Sequence, residues 1–231
     1  MSDIAAMHKT PLLTRRAIAG STPEVLTDIY QEDANIIIWQ RQLAGELAVA
    51  VGDLLHTKPT LQTSLVVTPK SAFSSIHDAL GETDTSTTLS EDIAQLVDMF
   101  CCLFDLKRAG LRLTVLDRAM CPRFHVDKVP CRLVTTYHGI ATEWLPHDCV
   151  DRSKLGAGHG GKPDEQSGLF QHPNNIHQLH QGEVALLKGE SWEGNEGAGL
   201  VHRSPSVPLT NESALTNATC ERRLLLTLDF N

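Results

Sequence analysis

The stretch RFHVDKVPCRLVTTYHG, residues 123–139, places a histidine and an aspartate one residue apart, just before a run that is typical of a β-strand. Alternate residues of an extended chain point to the same side, so His125 and Asp127 are predicted to face the same way. Burying such a polar pair costs free energy unless its groups find partners. The pair could hold a metal ion, take part in acid–base chemistry, or cap the end of a strand.

A metal site becomes the favoured interpretation when a later histidine is included. An imidazole and a carboxylate on one face supply two of the three ligands of a facial triad, which suits non-haem Fe(II) and leaves coordination positions open. The third ligand should be a histidine on a later strand. His202, in the stretch GLVHRSP, follows two apolar residues and precedes a proline turn. The sequence therefore predicts a metal site made of His125, Asp127 and His202.

Each of these residues also has an ordinary structural explanation. Asp127 could cap the turn that leads to Pro130, with His125 as a half-buried neighbour. His202 taken alone is more often a strand histidine whose ring nitrogens are hydrogen-bonded. The metal interpretation therefore depends on the three residues being taken together.

The second half of the chain is predicted to consist of short strands. From Leu111 onward the β-rich segments are LRLTVLDRAM, CRLVTTYHG, ATEWL, EVALLKGE, GLVHRSP and RRLLLTLDF. Many short strands without helices between them favour a sandwich, jelly roll or barrel. Residues 155–181 are predicted to form one long loop, of the kind that serves as a lid or binding loop or is disordered.

The first half is predicted to be mainly helical. Helical apolar spacing covers Leu43–Leu55, and a second helix is predicted to open at Ser90 and to stop at Gly110. The polar stretch GETDTSTT before it is predicted to be a solvated loop. A short β-branched run, Asn35–Arg41, predicts one strand in this half.

The composition limits the classes of partner. The chain has 231 residues, of which 41% are apolar and 21% charged, as in an ordinary soluble globular protein. Only 5% of the residues are aromatic and the net charge is -8, so no nucleic-acid partner is expected, because phosphate binding needs a basic surface. No apolar run approaches the ~20 residues that span a bilayer, so no membrane association is expected. The scattered cysteines predict reduced thiols in a cytoplasmic protein without a targeting segment.

The pattern of these motifs resembles that of Fe(II)/2-oxoglutarate oxygenases, in particular the phytanoyl-CoA dioxygenase-like branch. The shared features are the His-x-Asp pair, the strand QGEVALLKGE, a distal histidine before serine and proline, and a last strand that begins with arginine. The resemblance implies a double-stranded β-helix (a cupin-like jelly roll) in which His125, Asp127 and His202 bind iron.

The resemblance also implies that an arginine at the start of the last strand pairs with the far carboxylate of 2-oxoglutarate. A guanidinium suits this role because its fork matches a carboxylate with two hydrogen bonds. The candidates are Arg222 and Arg223, of which only one can point inward, because neighbouring strand residues face opposite sides. In this sequence a longer segment separates them from His202 than is usual in those oxygenases, and such an insertion costs little free energy.

Over nearly its whole length the sequence resembles a bacterial family of proteins of unknown function, the domain-of-unknown-function 1826 family. The motifs that carry the resemblance are CPRFHVDKVPCRLVTTYHGIATEWLP, GEVALLKGESWEGNEGAGLVHRSP and RRLLLTLDF. This family implies no established reaction. The association of its genes with zinc-responsive loci implies a role in metal homeostasis.

Further residues are candidates for ligand binding. Thr135 and Tyr137, on the strand that follows the His-x-Asp pair, could donate hydrogen bonds to a bound carboxylate. Arg123 shares a face with His125 and could meet an anionic substrate, or it could pair with Asp127 or another acid. Each of them could equally be an ordinary strand or surface residue.

A substrate rim is predicted from residues near loops, since aromatic and amide groups at loop tips suit it. These residues are Trp144, Trp192 and Asn195. Packing in the core is the commoner fate of tryptophan. The loops also carry several histidines, of which His177 and His180 would be neighbours on a helical turn. Histidines in polar loops are usually just solvated.

Together with this resemblance, the sequence predicts a single α+β domain, residues 1–231, with a helical layer over residues 1–110 and a double-stranded β-helix core over residues 111–231. The leading function is a metal-dependent, oxygenase-like protein that uses Fe(II) and 2-oxoglutarate to hydroxylate a small molecule. One alternative is a non-enzymatic protein that binds zinc or another divalent metal in metal homeostasis, because ligand type alone does not fix the metal. A second alternative is an inactive oxygenase fold that recruits a partner through the tryptophan-bearing rim.

Overall fold

A seven-stranded sheet is the largest element of the structure, a computed structural model that describes residues 14–206 and 222–231. Its strands are β1 (Arg16–Gly20), β2 (Ala34–Trp39), β3 (Gln62–Val67), β4 (Ala109–Leu116), β5 (Cys131–His138), β8 (Val184–Lys188) and β10 (Arg223–Phe230). Across the sheet they follow the order β1-β2-β8-β5-β10-β4-β3, and all neighbours are antiparallel except β1 and β2.

A second, smaller sheet has three strands in the order β7-β6-β9. They are β6 (Glu143–Leu145), β7 (His177–Gln178) and β9 (Val201–Arg203). His125 extends this sheet by one residue, because it forms an isolated antiparallel bridge with His202 of β9. The first of the two predicted metal-binding histidines is therefore held directly beside the second.

Helices cover one face of the large sheet. These helices are α1 (Gly45–Thr57), α2 (Ala72–Leu80) and α3 (Asp84–Leu103), together with a 3-10 helix over Pro23–Tyr30. A short helix, α4 (Asp164–Ser167), lies beside the Phe124 segment instead. Apolar side chains of α1, α2 and α3 form one buried cluster with alternate residues of the sheet. On β10 these alternate residues are Leu224, Leu226 and Leu228.

The opposite face of the large sheet meets the small sheet. Ile36 of β2, Val134 of β5 and Leu187 of β8 form a second buried cluster with Trp144 of β6 and with Leu200, which precedes β9. Residues of β10 on this face alternate with the leucines of the helix-side core and include Arg223 and Thr227. This arrangement directs polar side chains of the last strand into the space between the two sheets.

The predicted strands of the second half are confirmed, and the chain is a mixed α/β protein with a large sheet. The prediction of a mainly helical layer over residues 1–110 was incomplete, because β1, β2 and β3 of this half join the large sheet. Two of these strands carry weak sequence signals. Strand β1 pairs in parallel at one edge, and β3 at the other edge leaves its polar residues exposed.

The polar stretch GETDTSTT, residues 81–88, was wrongly predicted to be a loop, since most of it belongs to helix α3. Helix α3 begins at Asp84 because Thr83 and Ser86 form a capping box. The Thr83 hydroxyl accepts a hydrogen bond from the Ser86 N–H at 3.1 Å, and the Ser86 hydroxyl accepts one from the Thr83 N–H at 2.9 Å. Such reciprocal caps satisfy two N–H groups that a helix start otherwise leaves without partners.

The segment 155–181 is not one irregular loop, since it contains α4, two 3-10 turns and β7. Asp164 anchors it: its carboxylate accepts a hydrogen bond from the Phe124 N–H at 2.8 Å and lies 3.3 Å from the Arg123 guanidinium. In the described part of the chain no helix has the length and apolar character needed to cross a membrane.

Candidate metal centre

Two histidines are positioned side by side by backbone pairing. The His125 N–H donates to the His202 carbonyl and the His202 N–H donates to the His125 carbonyl, both at 3.0 Å. The two imidazole centroids are 4.6 Å apart. This pairing brings together residues that are far apart in the sequence, and it directs both side chains to the same side of the bridge.

Each imidazole is oriented by a carbonyl group of its own segment. His125 Nδ1 lies 2.9 Å from the Arg123 carbonyl oxygen, and His202 Nδ1 lies 3.2 Å from the Leu200 carbonyl oxygen. A carbonyl can only accept, so Nδ1 is the protonated nitrogen and Nε2 carries the free lone pair in each neutral ring. A backbone carbonyl on the other nitrogen is the usual support of a metal-binding histidine.

Asp127 completes the cluster from the turn before β5. Its carboxylate oxygens lie 3.8 Å from His125 Nε2 and 3.5 Å from His202 Nε2. One ligand atom from each of the three residues lies within 4.8 Å of the others. In residues 14–206 and 222–231 this is the only group of three or more such side chains with metal-ligand geometry.

An arginine fixes the Asp127 carboxylate from behind. Arg132 donates from Nη1 to Asp127 Oδ2 at 2.7 Å, and it donates from Nε to Asp229 Oδ1 at 2.7 Å. Because Arg132 lies on β5 and Asp229 on β10, the large sheet sets the direction of the carboxylate. Such hydrogen bonds to a ligand orient it and tune the metal.

The turn that carries Asp127 is held against the end of β8. The Glu190 N–H donates to the Asp127 carbonyl and the Gly189 N–H donates to the Pro130 carbonyl, both at 2.9 Å. A Cβ atom at Gly189 would collide with the Val129 carbonyl oxygen. Glycine is therefore required at this position for the close approach of the two backbone segments.

The cluster suits a divalent metal ion. Burial lowers the pKa of His202 to about 4, the nearby Asp127 carboxylate opposing this shift and His125 adding to it. The His202 imidazole is thus neutral at neutral pH, as a metal ligand must be, and its Nε2 lone pair is free. His125, Asp127 and His202 would hold such an ion with two imidazoles and one carboxylate, the ligand set of a facial triad.

The cleft beside the triad lies between the two sheets. His125 and His202 line it together with Arg223 of β10. Arg223 is only 1% exposed, and its Nη1 donates to the Ser204 hydroxyl at 2.6 Å. Its Nε and Nη2 have no hydrogen-bond partner among the described residues. Burial lowers the pKa of Arg223 to about 10, so the guanidinium is still charged at neutral pH.

The structure separates the two candidate arginines. Arg223 faces the cleft, whereas Arg222 points to the helices, where its Nη1 lies 3.5 Å from the Leu55 carbonyl oxygen. Thr135 and Tyr137, predicted to contact a bound carboxylate, do not line the cleft. The Tyr137 hydroxyl donates to Asp92 on α3 at 2.6 Å, and Thr135 lies on the same, helix-facing side of β5.

The other predicted ligand-binding residues lie in structural contacts. Arg123 pairs with Asp164, which was its alternative interpretation. Trp144 is 7% exposed and packs between the sheets, and Trp192 packs on Tyr30 with ring centroids 5.5 Å apart. Asn195 is buried and donates to the Gly189 carbonyl at 2.9 Å. None of these four residues lines the cleft beside the triad.

Several residues of the cleft were not predicted from the sequence. They are Arg112, Thr114, Arg132, Thr142, Ser204 and Thr227. Only Thr227 was predictable from the sequence, because it lies four residues after Arg223 on one strand and therefore shares a face with it. The loop histidines show no such convergence among the described residues, and His177 lies in a strand instead of a helical turn with His180.

Comparisons with known proteins place the chain in a family. A family model described as "Protein of unknown function (DUF1826)" matches residues 20–229. The chain belongs to the DUF1826 family. No curated protein matches this DUF1826 chain.

Several solved structures are similar to the DUF1826 protein, and the first of these has a comparable fold. A full-length Neurospora crassa protein, solved in complex with alpha-KG and 5-formyluracil, matches with 11% identity and a TM-score of 0.50, over 95% of this chain and 85% of that one. A dioxygenase for auxin oxidation from rice matches with 11% identity and a TM-score of 0.49, over 94% of this chain and 82% of that one. A Pseudomonas putida prolyl-4-hydroxylase matches with 10% identity and a TM-score of 0.47, over 90% of this chain and 97% of that one.

Proposed function

We propose that this DUF1826 protein is an Fe(II)- and 2-oxoglutarate-dependent oxygenase that acts on a small molecule. One observation carries the proposal: both histidines of the His125–Asp127–His202 cluster and the buried Arg223 line the same cleft. A metal triad alone would suit many functions. A metal triad beside a buried cation, two of whose nitrogens have no partner among the described residues, suits a metal site with an anionic cosubstrate.

In this proposal the fold is a double-stranded β-helix. Two sheets pack face to face, and the triad lies at the edge where the bridge of His125 joins the small sheet. The fold shared with the Neurospora crassa protein supports this assignment.

His125, Asp127 and His202 would hold the iron. With 2-oxoglutarate bound beside it, the iron would supply the oxidation of a substrate C–H bond by O₂. The protein's part is to hold the three ligands rigidly: the carbonyls of Arg123 and Leu200 orient the imidazoles, and Arg132 orients the carboxylate.

Arg223 would bind the far carboxylate of 2-oxoglutarate. Its Nε and Nη2 are the two nitrogens without partners among the described residues, and together they form one edge of the guanidinium fork. This edge matches the two oxygens of a carboxylate. The Ser204 hydroxyl would keep the fork in place through the 2.6 Å contact with Nη1. The low exposure of this site strengthens the ion pair that the ligand would form.

The zinc-binding alternative uses the same three ligands, because Zn²⁺ also accepts histidine and carboxylate. It gives no use for the unpartnered nitrogens of Arg223, since burying such donors costs free energy without a ligand. The partner-recruiting alternative depends on exposed tryptophans, whereas Trp144 is buried and Trp192 packs on Tyr30. The oxygenase proposal accounts for more of the site.

Turnover of 2-oxoglutarate tests the proposal. We expect the purified protein with Fe(II) in air to convert 2-oxoglutarate slowly to succinate and CO₂ even without a substrate. His125→Ala should abolish this conversion, because the triad loses a ligand. His56→Ala is the matched control, since His56 is exposed on α1 and should leave the rate unchanged. Stoichiometric zinc in the purified protein, with no succinate formed after exchange to Fe(II), would favour the zinc-binding alternative.

A further inference from the structure

Four arginines line the cleft, and three of them have an evident use. Arg132 pairs with Asp127 and Asp229, both at 2.7 Å. Arg203 pairs with Glu143 at 2.6 Å and with Glu165 at 2.8 Å. Arg223 is the buried cation that the cosubstrate would occupy. The remaining arginine, Arg112, is not explained by the proposed function.

Arg112 is a cation without a partner within the described residues. It forms no hydrogen bond or ion pair with any of them, and it is exposed on β4 at the mouth of the cleft. A second cavity, which shares Arg112, Thr114 and Met120 with the first, continues from this mouth along β3 and β4. The exposed residues Gln62 and Ser64 of β3 line it. A molecule that enters the cleft along this edge therefore passes Arg112.

A second unpartnered group lies across from this arginine. Thr227 of β10 pairs with Arg112 in the strand ladder, and both face the cleft. The Thr227 hydroxyl is buried and has no hydrogen-bond partner in the described part of the chain. A buried hydroxyl without a partner costs free energy, so it marks a position where a ligand acceptor would be favourable.

The position of this pair relative to the metal triad is given by the sheet register. Val134 of β5, Thr227 of β10 and Arg112 of β4 form one row across the sheet. Neighbouring strands are about 4.8 Å apart, so Arg112 lies about 10 Å across the sheet from β5. Arg132, two residues before Val134 on the same face of β5, binds the Asp127 carboxylate of the triad. The row thus leads from the mouth of the cleft toward the candidate metal site.

We infer that Arg112 and Thr227 bind the carboxylate of the primary substrate, which is therefore a small organic acid. The inference rests on the proposed function, because Arg223 is assigned there to the cosubstrate. One guanidinium and one hydroxyl match the two oxygens of a carboxylate, whereas a phosphate group would require more donors. The carboxylate is held at the mouth, and the rest of the molecule extends past Val134 toward the triad.

The test uses neutral and charged versions of one molecule. The protein is loaded with Fe(II) and saturating 2-oxoglutarate under anaerobic conditions, and its binding of butanoate, hexanoate and octanoate is compared calorimetrically with that of the corresponding primary amides. We expect at least one acid to bind about tenfold or more tightly than its amide, as a charge-assisted hydrogen bond predicts. Arg112→Gln should remove this preference, and Thr227→Val should reduce it about threefold or more. Arg108→Gln is the matched control, because it removes an exposed arginine that does not line the cleft.

Several outcomes would overturn the inference. The first is that no acid binds more tightly than its amide. The second is that Arg112→Gln keeps the preference of the parent protein. The third is that the affinity for the acids falls as the concentration of 2-oxoglutarate is raised. The last result would place the acids in the cosubstrate site. The visible charge-transfer absorption of the Fe(II)–2-oxoglutarate complex is recorded in the same samples. If this absorption is missing while the Arg112-dependent preference persists, the proposed function fails and the carboxylate site stands.

Discussion

Arg223→Met is expected to stabilise the ligand-free protein while it strongly weakens binding of 2-oxoglutarate. The guanidinium is 1% exposed and has two nitrogens without partners among the described residues. Each buried donor without a partner costs about 1–3 kcal/mol, so an apolar side chain of similar length should raise the free energy of unfolding by about that amount. Loss of a buried, hydrogen-bonded charge pair should weaken 2-oxoglutarate binding by about 2–5 kcal/mol, which is about 30-fold or more.

Thermal unfolding without ligand and calorimetric titration of 2-oxoglutarate into the Fe(II)-loaded protein measure the two effects. Arg222→Met is the matched control, because the neighbouring side chain contacts the Leu55 carbonyl on the helix side of the sheet. It should leave 2-oxoglutarate binding unchanged. A structural role for Arg223 predicts the opposite pattern, in which Arg223→Met lowers the melting temperature and leaves binding of 2-oxoglutarate intact.

Asp127→Ala is expected to weaken metal binding by more than about 100-fold, and Arg132→Met by about 10- to 100-fold. Asp127 is the only carboxylate of the triad, and Arg132 orients it through the 2.7 Å hydrogen bond. Residues that support a metal ligand typically contribute 10- to 100-fold to metal affinity, so the ligand itself should contribute more. Competition with a chelator of known affinity measures the dissociation constant for Fe(II), or for Zn(II) in air.

Asp98→Ala is the matched control for the loss of a carboxylate, because Asp98 is exposed on α3. It should bind metal as tightly as the parent protein. Equal metal affinity in Asp127→Ala and in the parent protein would contradict both the iron and the zinc interpretation of the triad. A larger loss in Arg132→Met than in Asp127→Ala would mean that Arg132 acts through the sheet and not through the ligand.

Much of the candidate metal site was accessible from the sequence because it depends on local geometry. Alternation along an extended chain is enough to place His125 and Asp127 on one face, and the apolar flanks of His202 predict its strand. The structure brings the three residues together through the bridge between His125 and His202. The strands of the second half were predictable for the same reason, since their apolar alternation is local.

The residues that complete the cleft depend on which strands become neighbours. Arg112, Thr227 and Val134 form one row only because β10 inserts between β4 and β5. Sequence patterns do not determine this order. The same holds for Tyr137, whose side of the sheet depends on the register of β5 and on its partner Asp92 in α3. Strand β1 escaped prediction because its pairing with β2 is parallel and lies at the sheet edge.

The central claim is that the triad and Arg223 form one site for Fe(II) and 2-oxoglutarate. Anaerobic titration of 2-oxoglutarate into the Fe(II)-loaded protein, followed by visible absorption, tests it most directly. We expect a charge-transfer absorption that saturates at one 2-oxoglutarate per iron and that is lost in Asp127→Ala and in Arg223→Met. A protein that binds Fe(II) at the triad but develops no such absorption at any concentration of 2-oxoglutarate would contradict it.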